Sequence, residues 1–137
     1  AKYTEWGYTA VSGKKDSWGD EENVKNVFDQ LRTKFIDQGI PVYIGEMGCV
    51  HRNNNRAESF RKYYLEYVCK AARSFGMAPF YWDNGATGAG RECSGLFNHA
   101  TGAYINNAKE IVAVMVKALF TEDEDYTLNT VYDKAPR

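Results

Sequence analysis

Helix and strand signals alternate along this chain, but only two of them read as strands, and that shortfall limits the fold more than any other feature. The segment DEENVKNVFDQLRTKFIDQG has the form of a helix. Asp20 stands where an N-cap belongs, and Glu21 and Glu22 favour the positive helix start. Val24, Val27, Phe28, Leu31 and Phe35 recur on one face, and Gly39 supplies a C-terminal stop. The apolar run that Pro41 opens is too short for a helix and rich in β-formers, so it predicts a strand. After the polar loop RNNNR a second helix is predicted from about Ala57 to Phe75, with Phe60, Tyr64, Tyr67, Val68, Ala71 and Phe75 on one side and Gly76 at its end. MAPFYW is the second strand, DNGATGAGRECSG a glycine-rich loop, and Ile105 to Leu119 the third helix. Residues 1–19 read as a long loop and residues 120–137 as a tail or the start of a linker.

This order is the pattern of parallel α/β folds. Both strands are apolar on both faces, as expected where helices or a barrel interior cover them. A two-stranded parallel sheet does not stand alone. A complete eight-stranded barrel needs about 250 residues, and this chain has 137. It is therefore either an unusual small fold or part of a barrel. A hydrophobic content of 44% supports a packed core, and most of its ten tyrosines are expected there. A net charge of −1 gives no general affinity for nucleic acid or anionic lipid. No apolar stretch is long enough to span a bilayer. The start AKYTEWGY lacks the pattern of a signal peptide. Cys49, Cys69 and Cys93 are odd in number and irregularly spaced, which is not a disulfide framework, although one bridge among them is open.

The first strand runs into Glu46, which sits between Gly45 and Met47-Gly48. In α/β barrels catalytic groups occupy the C-terminal ends of strands. Trp82 stands at the equivalent end of the second strand and is followed by Asp83, Asn84 and Gly85. A carboxylate beside a flat ring suits a sugar, whose apolar face stacks on an aromatic while the carboxylate meets the anomeric carbon. The alternatives are weaker. His51, His99, Cys49 and Cys93 lack zinc-site spacing, and GATGAG is followed neither by Lys-Ser or Lys-Thr nor directly by a helix. No metal or organic cofactor is expected.

GIPVYIGEMG, then a helix, then PFYWDNG and SGLFNHATG, resembles the C-terminal part of glycoside hydrolase family 5, the cellulase and endoglucanase family. YTEWG and SWGDEENVKNVFDQLRTKF resemble the stretch after that family's sixth barrel strand, so the likeness runs from about residue 3 to residue 119. Met47 departs from the aromatic residue usual there. The resemblance implies a fold, the last strands and helices of a (β/α)8 barrel, incomplete by itself. It implies that Glu46 is the catalytic nucleophile at the end of the seventh strand and that Trp82 floors the site. It places Asn84 where it meets a sugar hydroxyl and Trp6 in a loop that lines the cleft. Retaining glycosidases need a second carboxylate about 5–5.5 Å away. In this family it follows an Asn, and no Asn-Glu pair occurs here. Asp83 and Glu92 are the nearest other acids. The implied activity is that of a retaining endo-β-1,4-glucanase, secreted because its polymer substrates lie outside cells. The implied partners are a β-glucan and the missing N-terminal barrel portion, or a second copy. The contrasting expectation is a sugar-binding or self-associating piece that never completes the site.

Overall fold

The computed structural model describes residues 20–88 and 90–136. The elements run α1 (Glu21–Lys34), β1 (Tyr43–Met47), α2 (Asn55–Phe75), β2 (Ala78–Tyr81), α3 (Ala108–Phe120) and α4 (Leu128–Asp133). Residues 1–19, read as a loop, lie outside the described part.

Asp20 caps α1 as expected, its Oδ1 accepting the Asn23 amide at 3.1 Å. The helix stops at Lys34, earlier than its apolar stripe implies, and the chain tightens into a 3₁₀ turn at Ile36–Gln38. Gly39 closes that turn at φ 78°, a left-handed conformation that favours glycine. The second helix begins two residues before the expected Ala57, because Asn54 in the polar loop is its cap. Asn54 Oδ1 accepts the Ala57 amide at 2.8 Å. Asn54→Ala should therefore cost about 1 kcal/mol of stability, seen as a lower urea midpoint at unchanged slope.

Helix α2 is the centre of the molecule. It packs against α1, α3, α4 and β2, so its burial is not confined to one stripe. Phe60, Leu65 and Ala71 are fully buried, and Tyr63 and Tyr67 nearly so. Ala71 and Ala72 on α2 and Ala108 and Ala118 on α3 are also buried, small residues that let helix backbones approach closely. Arg61 is buried as well, which nothing in the hydrophobic pattern announced.

The chain passes from β1 through α2 to β2, and the two strands pair in parallel. On the helix side Pro79, Tyr81 and Met47 line a cavity of about 180 Å³ with Cys69 of α2 and Val112, Met115 and Leu119 of α3. On the other face Tyr43 is 70% exposed and Phe80 57% exposed, with rings edge to face at 5.8 Å. The helices thus cover one sheet face, and among the described residues the second apolar face stays open.

The residues after α3 fold back onto the helices. Tyr126 and Val131 are buried, and α4 packs on α2. The Tyr126 ring lies 4.6 Å from Lys70 Nζ and 4.5 Å from Lys117 Nζ, and its hydroxyl donates to Glu66 Oε1 at 2.6 Å. A six-residue helix is too short to show a periodic stripe, so its docking left no pattern to read.

Candidate active site

The register of the sheet explains the acid between glycines. Tyr43 pairs with Ala78, Ile44 with Pro79, and Met47 with Tyr81. From Ile44 to Met47, β1 advances three residues while β2 advances two, so the pair contains a bulge at Gly45-Glu46. In a regular strand Met47 would share the face of Tyr43. The extra residue reverses the alternation, and Met47 is buried on the helix side while Tyr43 stays open. Bulges re-aim side chains and are frequent beside active sites. Here the bulge leaves Glu46 exposed at the strand tip.

Glu46 and Trp82 line one cleft of about 240 Å³, together with the Gly48–Val50 segment, Arg91, Glu92 and Ser94. Trp82 is 53% exposed, which leaves its indole open for stacking. The strand tips are tied directly, as the Trp82 amide donates to the Met47 carbonyl at 2.7 Å. The structure therefore brings together Glu46 and Trp82, the two main candidates, and adds Arg91 and Glu92 from the following loop. Arg91 carried no sequence signal. Glu92 reads in the sequence only as a nearby acid, because the loop that carries it has no periodic pattern to place it.

Asn84 is already engaged. Its Nδ2 donates to the Glu92 carbonyl and its Oδ1 accepts the Ala86 amide at 3.1 Å. In this conformation these two bonds shape the loop that carries Glu92. Trp6 lies outside the described residues.

Asp83 is a structural staple. Oδ1 accepts the amides of Gly85 at 2.9 Å and Leu96 at 3.1 Å, and Oδ2 accepts Phe97 at 3.1 Å. His99 Nε2 lies 3.4 Å from Oδ1. Partial burial pushes the pKa up, but the three amides and His99 outweigh it and hold the carboxyl below its ordinary 3.8. Its oxygens are engaged by these backbone amides, and it does not line the cleft that holds Glu46 and Trp82. Because the folded pKa is lowered, its stabilisation is complete above the unfolded value and is lost as pH falls through the folded one. The Leu96 and Phe97 amide resonances should accordingly hold from pH 7 to about 4 and shift below 3.8, whereas Asp83→Asn should show the altered positions throughout.

The remaining candidates have local tasks. His51 Nδ1 lies 3.2 Å from Glu58 Oε1. The three cysteines are free thiols. The Cys93 thiol donates to the Thr87 carbonyl at 2.8 Å, and burial pushes the Cys69 thiol up to about 12. Among the described residues no helix is long and apolar enough to cross a membrane.

The structure is a parallel β–α–β unit with a carboxylate and an open indole at adjacent strand tips. The cellulase family profile (glycosyl hydrolase family 5) matches residues 2–88, and the chain belongs to that family, one of (β/α)8 barrels. A Bacteroidetes-affiliated family 5 cellulase, linked with a polysaccharide utilization locus, is 40% identical with a TM-score of 0.91, covering 100% of this chain and 35% of that one. A broad-specificity endoglucanase from Bacteroides salanitronis is 58% identical with a TM-score of 0.80, covering 87% of this chain and 31% of that one. Endoglucanase A of Paenibacillus barcinonensis is 34% identical over 88 residues, 62% of this chain and 22% of that protein. The chain thus spans about a fifth of such curated relatives and about a third of such solved structures.

Proposed function

We propose that this chain is the C-terminal portion of the barrel of a retaining endo-β-1,4-glucanase. It carries the nucleophile and sugar platform, while the acid/base comes from the rest of the barrel. One observation supports this above the others: Glu46, turned out by the bulge in β1, shares a cleft with the exposed indole of Trp82. In the reaction Glu46 attacks the anomeric carbon, the glycosidic oxygen leaves with a proton from the acid/base, and a glycosyl-enzyme forms. Water deprotonated by the same acid/base then releases the sugar with retained configuration. Trp82 stacks on the reacting ring. The WDNG form of the platform motif favours β-1,4-glucans as substrate, and such an enzyme acts outside the cell, where the polymer is.

The test is covalent labelling. The matched third of the Bacteroides salanitronis endoglucanase is replaced by this chain, and the product is treated with 2,4-dinitrophenyl 2-deoxy-2-fluoro-β-cellobioside. Dinitrophenolate leaves without acid assistance, and the fluorine slows breakdown of the glycosyl-enzyme. The expected result is one added fluorocellobiosyl group on the peptide containing Glu46. A label on another residue, or none while the parent endoglucanase labels normally, overturns the proposal.

The open face bearing Tyr43 and Phe80 favours a second reading for the chain alone, a self-associating piece that binds sugar without turnover. A monomer independent of concentration by light scattering would contradict the self-association.

A further inference from the structure

We propose that Arg61 is a positioning residue that fixes Glu46 relative to Trp82 through the Cys49 carbonyl. This rests on the reading of Glu46 as the nucleophile. Arg61 lies in the second turn of α2 and is 1% exposed. Its Nε donates to the Cys49 carbonyl at 3.0 Å, three residues beyond Glu46. Its Nη1 donates to Glu58 Oε2 at 3.2 Å and Asn107 Oδ1 at 3.3 Å. Glu58 is held in turn by the Asn107 amide at 2.6 Å and the Arg52 backbone amide. The guanidinium is therefore anchored through Nη1 to Glu58 and Asn107, and its Nε reaches the loop that leaves β1.

The Cys49 carbonyl is also where the two strand tips meet. The Tyr81 hydroxyl, from β2, lies 3.4 Å from it and donates to the Ser94 carbonyl at 2.7 Å. Ser94 Oγ donates to the Trp82 carbonyl at 3.3 Å. The His51 amide donates to the Cys93 carbonyl at 2.8 Å. Segment 47–51, which follows Glu46, is thus tied to Tyr81, Trp82, Cys93 and Ser94, and Arg61 fastens that body to the central helix.

A buried ion pair is seldom the cheapest way to stabilise a core, since apolar residues of similar volume do as well or better. What the Arg61–Glu58 pair supplies is direction: a planar fork that reaches a backbone carbonyl and a carboxylate at once, which lysine does not reproduce. Catalysis is sensitive to such placement, and a displacement of about 1 Å can cost about 10²-fold. Arg61 and Tyr81 do not line the cleft, so their effect passes through Glu46 and Trp82.

Two measurements test this. The first is amide hydrogen exchange on the full chain. Arg61→Lys and Tyr81→Phe should each lower protection of the Trp82 and His51 amides about tenfold and leave that of Ala71 in mid-α2 unchanged. Unchanged protection at Trp82 and His51 overturns the proposal. The second uses the exchanged endoglucanase with the fluorosugar as an active-site titrant, so that turnover is counted per competent site. Per site, kcat should fall about 100-fold in Arg61→Met and about tenfold in Tyr81→Phe, with KM within about threefold and Arg61→Lys in between. If Arg61→Met fails to fold, Tyr81→Phe decides, because it removes one hydroxyl. Activity lost only in proportion to titrated sites means a merely structural role and overturns the proposal. If the unsubstituted exchanged enzyme fails to label at Glu46, the reading of function falls while the exchange arm still decides whether Arg61 sets the strand tips.

Discussion

Glu46→Gln in the exchanged endoglucanase should lower kcat/KM on a soluble β-1,4-glucan at least about 10³-fold, with the melting temperature unchanged within a degree or two. The size follows from the role. A nucleophile that forms the covalent intermediate has no partial substitute, and losses for such groups run to about 10⁴–10⁶-fold. The structural cost should be small because Glu46 is exposed at the strand tip, and surface substitutions of this kind usually stay within about 0.5 kcal/mol. Stereochemistry then separates the nucleophile from the acid/base. In Glu46→Ala, azide can enter the space left by the carboxylate and attack the anomeric carbon of an activated β-cellobioside from the nucleophile's side, giving the α-glycosyl azide. Were Glu46 the acid/base, the intermediate would form first and azide would give the β product. Proton NMR of the azide decides. A β product, or Glu46→Gln with activity near that of the unsubstituted protein, would remove Glu46 from the role proposed for it.

The local elements and the tip residues were legible in the sequence because each rests on short-range chemistry. Asp20 as a cap, Gly39 and Gly76 as stops, and the parallel order of two strands joined through a helix all follow from neighbours along the chain. Glu46 and Trp82 could be paired from the motifs alone. The misses are long-range. Arg61 looks like any solvated helix arginine, and its burial depends on Cys49, Glu58 and Asn107, the last 46 residues away. The bulge at Gly45-Glu46 is a property of the strand pair, not of β1. Asp83 and Asn84 sit in a motif that points to sugar binding, yet both also bond backbone groups of Gly85, Ala86, Glu92, Leu96 and Phe97. The path of the loop from Gly85 to Phe97, fixed by side chain to backbone bonds across 13 or 14 residues, leaves no periodic signal.

That loop is where the largest loss of stability is expected. Gly95 is buried, and a Cβ placed on it would lie 2.7 Å from the Gly85 carbonyl carbon and 2.8 Å from both the amide nitrogen and the carbonyl oxygen of Ala86. All three are backbone atoms, so no side chain can swing aside. Relief requires the 85–86 and 94–96 segments to separate, and that strains three bonds at once. These are Gly95 N–H to the Ala86 carbonyl at 3.2 Å, Ala86 N–H to Asn84 Oδ1, and Leu96 N–H to Asp83 Oδ1. Gly95→Ala should cost about 3 kcal/mol, the upper end of ordinary overpacking. Gly102→Ala is the control. It has φ 73° but nothing within 4 Å of the added methyl, so it bears only the left-handed backbone penalty of about 1–2 kcal/mol. Urea unfolding of the two variants orders these effects, and a Gly95→Ala loss no larger than that of Gly102→Ala would mean the two segments separate more freely than their hydrogen bonds imply. The same clash reaches the cleft, because Ser94, in one of the parting segments, lines it and bonds the Trp82 carbonyl. In the exchanged endoglucanase Gly95→Ala should therefore raise KM as well as lower stability, a combination that a purely local turn defect at Gly102 does not produce.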